Sequence, residues 1–344
     1  MNDSALLQRF PRLQSSLPWI QLGQWPTPVT RLSRLSQALG REIWVKRDDL
    51  SGTRYGGNKV RKLELLLAQA LHREHHSIVT VGGIGSNHVV ATGLYARQLG
   101  LPTRAVVVPQ PVTQQVHATL ALCRSLEVEL LPCPVRPLVP LYLWRAMHRA
   151  DQPFLIGPGG SSPLGVLGHV GAALELAQQI EANELPEPHA IYVALGSGGT
   201  MAGLALGCAL AGLRCEVRGV RVVERLLVNR TTVRMQVRRA RRLLGLESTP
   251  GLRMRVVHGY LGHGYGAVTL QATSAVERAQ DHGLLLETTY TGKAFAGLLD
   301  ADPGQHPLLF WNTYNSRDTA GLLRADAPEL PQTIARWLAG TSLS

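Results

Sequence analysis

The chain has 344 residues, 45% of them hydrophobic and 17% charged, which is enough to bury two ordinary cores and excludes a disordered or fibrous polypeptide. Its 35 basic against 24 acidic residues give a formal charge of +11, a balance that suits nucleic acid but equally an anionic substrate or cofactor. The four cysteines, Cys123, Cys133, Cys208 and Cys215, form no CxxC pair, so they read as buried thiols of a reducing compartment and no zinc or redox motif is expected.

Residues 1–17 carry charges without a continuous apolar core, and no run of about 18 apolar residues follows anywhere. A soluble cytoplasmic protein with no secretory leader is therefore expected. Pro18, Pro26 and Pro28 make residues 18–33 an extended lead-in. Residues 42–45 read as a short strand ending in the charged cluster Lys46-Arg47-Asp48-Asp49.

Residues 54–67 are the most informative stretch. Gly56 and Gly57 make a turn that other residues resist, and Asn58 is suited to cap the helix that follows. That helix places Leu63, Leu66, Leu67 and Ala70 on one face. Lys59 then falls in the first turn, near the positive end of the helix dipole, where a cation is disfavoured. An amine kept there has a lowered pKa and attacks a carbonyl more readily. Lys62, one turn on, is placed to meet an anion such as a phosphate. The plain alternative is a capped surface helix with two solvated lysines.

Residues 77–82 read as a buried strand running into Gly82-Gly83-Ile84-Gly85-Ser86-Asn87-His88 and a helix through Gln98. Strand 103–108, helix 115–126 and strand 127–131 continue a parallel α/β unit. Residues 132–164, rich in proline and glycine, read as the crossing between domains. A helix over 165–182, a strand over 190–194, a helix over 201–211 and a strand over 216–223 follow. The result is an α/β chain of two domains: a small one over 51–160 and a large one built from 1–50 and 161–344.

Gly196-Ser197-Gly198-Gly199-Thr200 lies between a strand and a helix, where backbone amides can close on an anion and two hydroxyls add donors. It has neither the lysine of a Walker A loop nor the G-x-G-x-x-G spacing of a dinucleotide site, and a plain tight turn is the alternative. Ser86 and Asn87 open a helix at the carboxyl end of a strand, where ligands bind or where the two residues simply cap. Tyr265, in Gly262-His263-Gly264-Tyr265-Gly266, and Tyr290, at a loop-to-helix junction, are candidates to pack on a flat ligand or merely packed loop aromatics. Arg234, Arg238, Arg239, Arg241 and Arg242 form a helix face with no interleaved aromatics, so solvent rather than nucleic acid is expected there. His72, His75 and His76 lack companion carboxylates, and no metal site is expected.

Taken in order, Gly56-Gly57-Asn58-Lys59 with Arg61-Lys62-Leu63-Glu64, Ser86-Asn87-His88, Gly196 to Thr200, Gly264-Tyr265-Gly266 and Tyr290-Thr291-Gly292-Lys293-Ala294 resemble the pyridoxal-phosphate enzymes of fold type II. The resemblance is to the group of 1-aminocyclopropane-1-carboxylate deaminase and D-cysteine desulfhydrase, and it runs over about residues 20–320. It implies a tryptophan synthase β-like architecture, with mostly parallel twisted sheets covered by helices on both faces, and a homodimer. Pyridoxal 5'-phosphate would be held by Lys59 as a Schiff base, with Lys59 also moving the α-proton of the substrate. Ser86 would contact the substrate as nucleophile or base, and Asn87 would bond the ring oxygen of the cofactor. Lys62 and Gly196, Ser197, Gly198, Gly199 and Thr200 would hold the phosphate, and Tyr265 and Tyr290 would flank cofactor and substrate.

Thr291 separates the two activities within that group. The deaminase pattern carries a glutamate there, at the pyridine nitrogen, and the desulfhydrase pattern a threonine. A hydroxyl stabilises a protonated ring and a delocalised carbanion less than a carboxylate does, which favours expelling a β-leaving group such as a thiol. The implied activity is β-elimination from D-cysteine to pyruvate, ammonia and sulfide. Alternatives are 1-aminocyclopropane-1-carboxylate deamination, lyase or racemase work on another amino acid, or cofactor binding without turnover. Three stretches depart from the group: Gly85 where glutamine is frequent, Glu287-Thr288-Thr289 where Asp-Pro-Val is common, and Asn312-Thr313-Tyr314-Asn315 where His-Thr-Gly-Gly is usual.

Overall fold

The structure is a computed structural model that describes residues 4–248 and 251–340. Residues 1–3, 249–250 and 341–344, which include both ends of the expected large domain, lie outside the described residues. In chain order the strands are β1 (Val29–Arg31), β2 (Ile43–Lys46), β3 (Ser77–Gly83), β4 (Thr103–Val108), β5 (Glu129–Pro132), β6 (Pro153–Ile156), β7 (Ala190–Leu195), β8 (Glu216–Arg221), β9 (Met254–Val257) and β10 (Leu308–Trp311). The chain divides into two compact units, one of residues up to Leu65 with Ser161–Arg317, the other of Leu66–Gly160 with the residues from Asp318 onward.

The larger unit is built on a six-stranded sheet of order β1-β2-β10-β7-β8-β9. All neighbours run parallel except β1, which is antiparallel to β2. Its central strands are near-continuous apolar runs, as a sheet covered on both faces requires. One face carries the helices Pro163–Glu181, Gly199–Leu210 and Arg230–Leu243 in one apolar cluster. The other carries Ser33–Leu39, Leu270–Gln280 and Thr291–Leu299 in a second.

Local chemistry starts these helices where they start. Ser162 accepts from the Gly165 amide, with Pro163 at the first helical position. Asn229 and Thr232 form a reciprocal capping box. Helix Arg230–Leu243 buries Val233, Val237 and Ala240 and exposes Arg234, Arg238, Arg239 and Arg242, so the basic run is a solvated face. Helices 163–181 and 199–210 touch backbone to backbone, since a Cβ on Gly203 would stand 2.5 Å from the Val166 carbonyl oxygen.

The smaller unit has a four-stranded parallel sheet of order β5-β4-β3-β6. Helices Asn87–Gln98, Gln114–Ser125 and Val139–Arg149 belong to it. The stretch 132–164 is not only a crossing. Residues 139–149 form a helix and Pro153–Ile156 pairs with β3, so the proline and glycine content belongs to the short connections around them.

The expected domain boundaries shift at two places. Residues 51–65 pack with the larger unit, because Gly57 N–H donates to the Asp48 carbonyl at 2.8 Å and Gly56 N–H to Asn315 Oδ1 at 2.6 Å. The chain beyond Arg317 packs with the smaller unit, where the Arg324 amide donates to Ser125 Oγ at 3.0 Å and Arg124 Nη2 to the Ala327 carbonyl at 2.9 Å. Among the described residues no helix is long and apolar enough to cross a membrane, no cluster of ligating side chains suits a metal ion, and the four cysteines are free and buried.

Candidate active site

The glycine turn before the lysine helix (Lys59–His72) is forced by crowding. A Cβ on Gly56 would lie 1.9 Å from the Asp49 carbonyl oxygen, and Gly57 has φ +97 with two carbonyl oxygens, of Thr313 and Tyr314, 2.8 Å from its missing Cβ. The Asn58 amide donates to the Thr313 carbonyl at 3.3 Å. The segment 312–317, which departs from the family pattern, therefore braces the turn that presents Lys59.

Asn58 does not cap the helix as expected. Its side chain takes a different role: Oδ1 accepts from Lys59 Nζ at 2.9 Å, and Nδ2 donates to Thr200 Oγ1 at 2.8 Å. One amide thus ties the lysine to the glycine loop 142 residues along the chain. Desolvation lowers the Lys59 pKa from 10.5 to about 8. The cause is burial of the amine, not only the helix dipole that sequence reasoning invoked.

Lys62 sits one turn on and is fully buried, and burial followed by the charge of Lys59 holds its pKa well below the ordinary lysine value. Its Nζ donates to Ser161 Oγ at 3.0 Å. Ser161 Oγ also lies 2.7 Å from Ser197 Oγ and accepts from the Gly199 amide at 3.2 Å. Gly199 has no room for a side chain, since its Cβ would stand 2.4 Å from Ser161 Oγ and 2.9 Å from Lys62 Nζ. Gly198 has φ +89, and Gln236 Nε2 holds the loop by donating to the Ser197 carbonyl at 2.8 Å. The head of helix Gly199–Leu210 has no side-chain cap, so its positive end faces this cluster of hydroxyls and a buried lysine. Ser161 was missed by sequence reasoning because it lies in the stretch taken as a domain crossing. The Gly-Gly-Ser-Ser ending of that stretch, just before a proline-started helix, was its only signal.

The tyrosines join the same place. Gly196 lies under Tyr290, whose Cε1 would be 3.2 Å from a Cβ there. The Tyr265 and Tyr290 rings meet edge to face at 5.9 Å between centroids, hydroxyl to hydroxyl at 2.5 Å. Lys293 Nζ donates to the Leu261 carbonyl at 2.8 Å, fixing the loop that leads to Tyr265. The Glu287 carboxylate accepts from the amides of Thr289, Tyr290 and Thr291 at 2.7 to 2.9 Å, and so caps helix Thr291–Leu299. Thr291 Oγ1 accepts from the Glu287 amide at 3.0 Å and donates to Glu287 Oε1 at 3.2 Å. That is the role Glu287 fills in its departure from Asp-Pro-Val.

Beneath the lysine helix lies a buried ionic cluster. Arg61 pairs with Asp48 and Glu175, Lys46 with Glu175, and Trp311 Nε1 donates to Asp48 Oδ2 at 2.7 Å. Arg61 also lies over the Trp25 ring at 3.9 Å.

Ser86 and Asn87 stand in the smaller unit, at the head of helix Asn87–Gln98. Ser86 has extended backbone and its hydroxyl does not cap the helix. His88, behind it, bonds Thr80 Oγ1 at 3.0 Å and Thr92 Oγ1 at 3.4 Å.

In the larger unit Lys59, Lys62, Gly196 to Thr200, Tyr265, Tyr290 and Thr291 thus form one connected set. An amine with a lowered pKa beside a glycine-lined, cationic anion cradle fits an aldehyde that carries a phosphate. A family model described as pyridoxal-phosphate dependent enzyme matches residues 20–307. The chain is 34% identical over 308 residues to a putative 1-aminocyclopropane-1-carboxylate deaminase of Pyrococcus abyssi (strain GE5 / Orsay), covering 86% of this chain and 88% of that protein. It is 37% identical over 304 residues to D-cysteine desulfhydrase of Klebsiella pneumoniae (strain 342), covering 86% and 89%. A solved structure of an ACC deaminase homologue superposes with TM-score 0.79 at 29% identity, covering 96% of this chain and 98% of that one. A fungal L-serine ammonia-lyase from Rhizomucor miehei, at 19% identity and TM-score 0.60 over 88% of this chain and 97% of that one, shares the fold.

Proposed function

The chain belongs to the pyridoxal-phosphate-dependent enzyme family, and from that premise we propose that it is a lyase that eliminates the β-thiol of D-cysteine. With one water consumed, the products are pyruvate, ammonia and hydrogen sulfide. Pyridoxal phosphate, when bound, supplies the electron sink that stabilises negative charge at the substrate α-carbon.

The remaining work falls to residues of this chain. Lys59 carries the cofactor aldehyde and moves the α-proton, for which an amine with a pKa of about 8 is suited at working pH. Lys62, Ser197, Thr200 and the backbone of Gly196, Gly198 and Gly199 hold the phosphate, with Ser161 orienting the lysine and the loop. Tyr265 and Tyr290, coupled through their hydroxyls, flank the ring and the leaving group. Ser86 contacts the substrate and Asn87 bonds the ring oxygen.

The observation that carries the choice of D-cysteine is Thr291. Its hydroxyl stands where a carboxylate would favour ring-opening chemistry, and the nearby Glu287 carboxylate is taken up by three backbone amides and that hydroxyl. The protein named D-cysteine desulfhydrase is the relative that shares 37% identity. The reading also makes the protein a cytoplasmic homodimer, with the larger unit as the cofactor-bearing domain.

The test is a panel of D- and L-amino acids with 1-aminocyclopropane-1-carboxylate, read for sulfide, pyruvate and other α-keto acids. D-Cysteine is expected to give sulfide and pyruvate in equal amounts. Keto acid from the cyclopropane substrate alone would move the assignment to deamination. A yellow protein that makes no product from any of them would make it a binding protein.

A further inference from the structure

Two glycines of the loop between β3 and its following helix give way to polar side chains. A Cβ on Gly82 would lie 2.7 Å from Ser86 Oγ, so that hydroxyl packs back over the strand end. A Cβ on Gly85 would lie 2.7 Å from Gln110 Nε2 and 2.8 Å from Val116 Cγ2. The Gln110 amide, brought from the loop after β4, therefore occupies the volume that a side chain at position 85 would fill. Its orientation is fixed, because the Gly85 amide donates to Gln110 Oε1 at 3.2 Å. That leaves the Nε2 end, a donor group, at the mouth of the loop.

Ser86, 7% exposed, has no side-chain hydrogen bond to the helix it opens. The carboxyl ends of β3 and β4 thus place a buried serine hydroxyl, an oriented amide donor and the first-turn amides of a 12-residue helix at one loop. Such a set of donors suits a small carboxylate.

We propose that Gln110 is a substrate-contacting residue that donates from Nε2 to the α-carboxylate of the amino-acid substrate, in place of a side chain at position 85. This rests on the amino-acid lyase reading given above. Gln110 reaches the loop from 25 residues away in sequence, so the Gly85 departure relocates an amide instead of deleting one.

Two variants separate a donor from a brace. Q110E keeps an oxygen to accept from the Gly85 amide but removes the donor and adds a negative charge. Q110A removes both. In the holoenzyme, KM for D-cysteine is expected to rise about tenfold in Q110A, the size of one lost hydrogen bond, and further in Q110E, with kcat changed less. Titration with D-alanine or L-alanine, followed by the visible band of the bound cofactor, is expected to show the same order of affinity loss. This second measurement needs only a carboxylate to bind, so it still decides the matter if D-cysteine is not the substrate. Q110E with wild-type KM and wild-type alanine affinity would overturn the proposal, because Gln110 would then serve only to hold Gly85. Failure of the wild type to bind either alanine would overturn it as well.

Discussion

The Arg61 guanidinium donates to both oxygens of Asp48, Nε to Oδ2 at 3.0 Å and Nη2 to Oδ1 at 2.8 Å. Arg61 lies between Lys59 and Lys62 on the lysine helix, so this buried pair sets how the two functional amines are presented. Glu175 completes it, accepting from Arg61 Nη1 at 2.9 Å.

Replacing Arg61 with Met would leave Asp48 and Glu175 buried with too little positive charge. The expected loss is about 3–5 kcal/mol, read as a lower melting temperature of the cofactor-free protein. Burial alone would raise the Glu175 pKa, but Arg61 and Lys46 outweigh it and hold it at about 2. Its folded value is depressed, so its stabilisation is complete above pH 4.5 and is lost as pH falls towards 2. In Arg61→Met that acid loss is expected at higher pH, which denaturation at a series of pH values would reveal.

Lys59 titrates near 8 instead of 10.5. Attachment of cofactor to stripped protein needs the neutral amine, so its rate is expected to climb with pH and level off just above 8. A rise that continued towards 10.5 would mean that the amine is solvated. Between these values the unfolded chain binds the extra proton, so the stability of the stripped protein also increases with pH there. Lys59→Ala is expected to be colourless after reconstitution.

Ser161→Ala removes a hydroxyl shared by Lys62, Ser197 and Gly199. About 0.5–1.5 kcal/mol of pyridoxal phosphate binding should be lost, and about 1.5–3 kcal/mol in Lys62→Met, where a charged donor goes. Titration of stripped protein with pyridoxal phosphate and with pyridoxal separates the causes. Affinity for pyridoxal, which has no phosphate, is expected to change little in either variant.

Glu287→Ala removes the acceptor for three amides at the head of helix Thr291–Leu299. The expected cost is about 1–2 kcal/mol in thermal stability, with a fall in kcat as Tyr290 loosens against Gly196. A variant with wild-type melting and wild-type kcat would show that water caps the helix equally well.

Local pattern made much of this legible. The glycine turn, the lysine at the helix start, the Gly196 to Thr200 loop and the two tyrosines each carry their signal within a few residues. What stayed hidden depends on partners distant in the chain. Asn58 has the composition of a cap, yet its better partners are Lys59 and Thr200, and nothing nearby in sequence reveals Thr200. Ser161 is one serine among glycines until Lys62 meets it. Leu308–Trp311 is a four-residue apolar run without alternation, which cannot be told from a loop until β2 and β7 flank it. The helix over 139–149 escaped because it exposes Leu141 and Trp144 instead of burying one clean apolar stripe.

The position of β10 bears on how the protein is made. It is the last strand in the chain, yet it lies between β2 and β7 and leads directly into the segment that braces Gly57. During translation β2 and β7 leave the ribosome long before the strand that must join them. The nascent chain therefore carries an open cleft in its main sheet until synthesis is nearly over, and a fragment ending before Leu308 would display the reactive lysine on an unsupported turn.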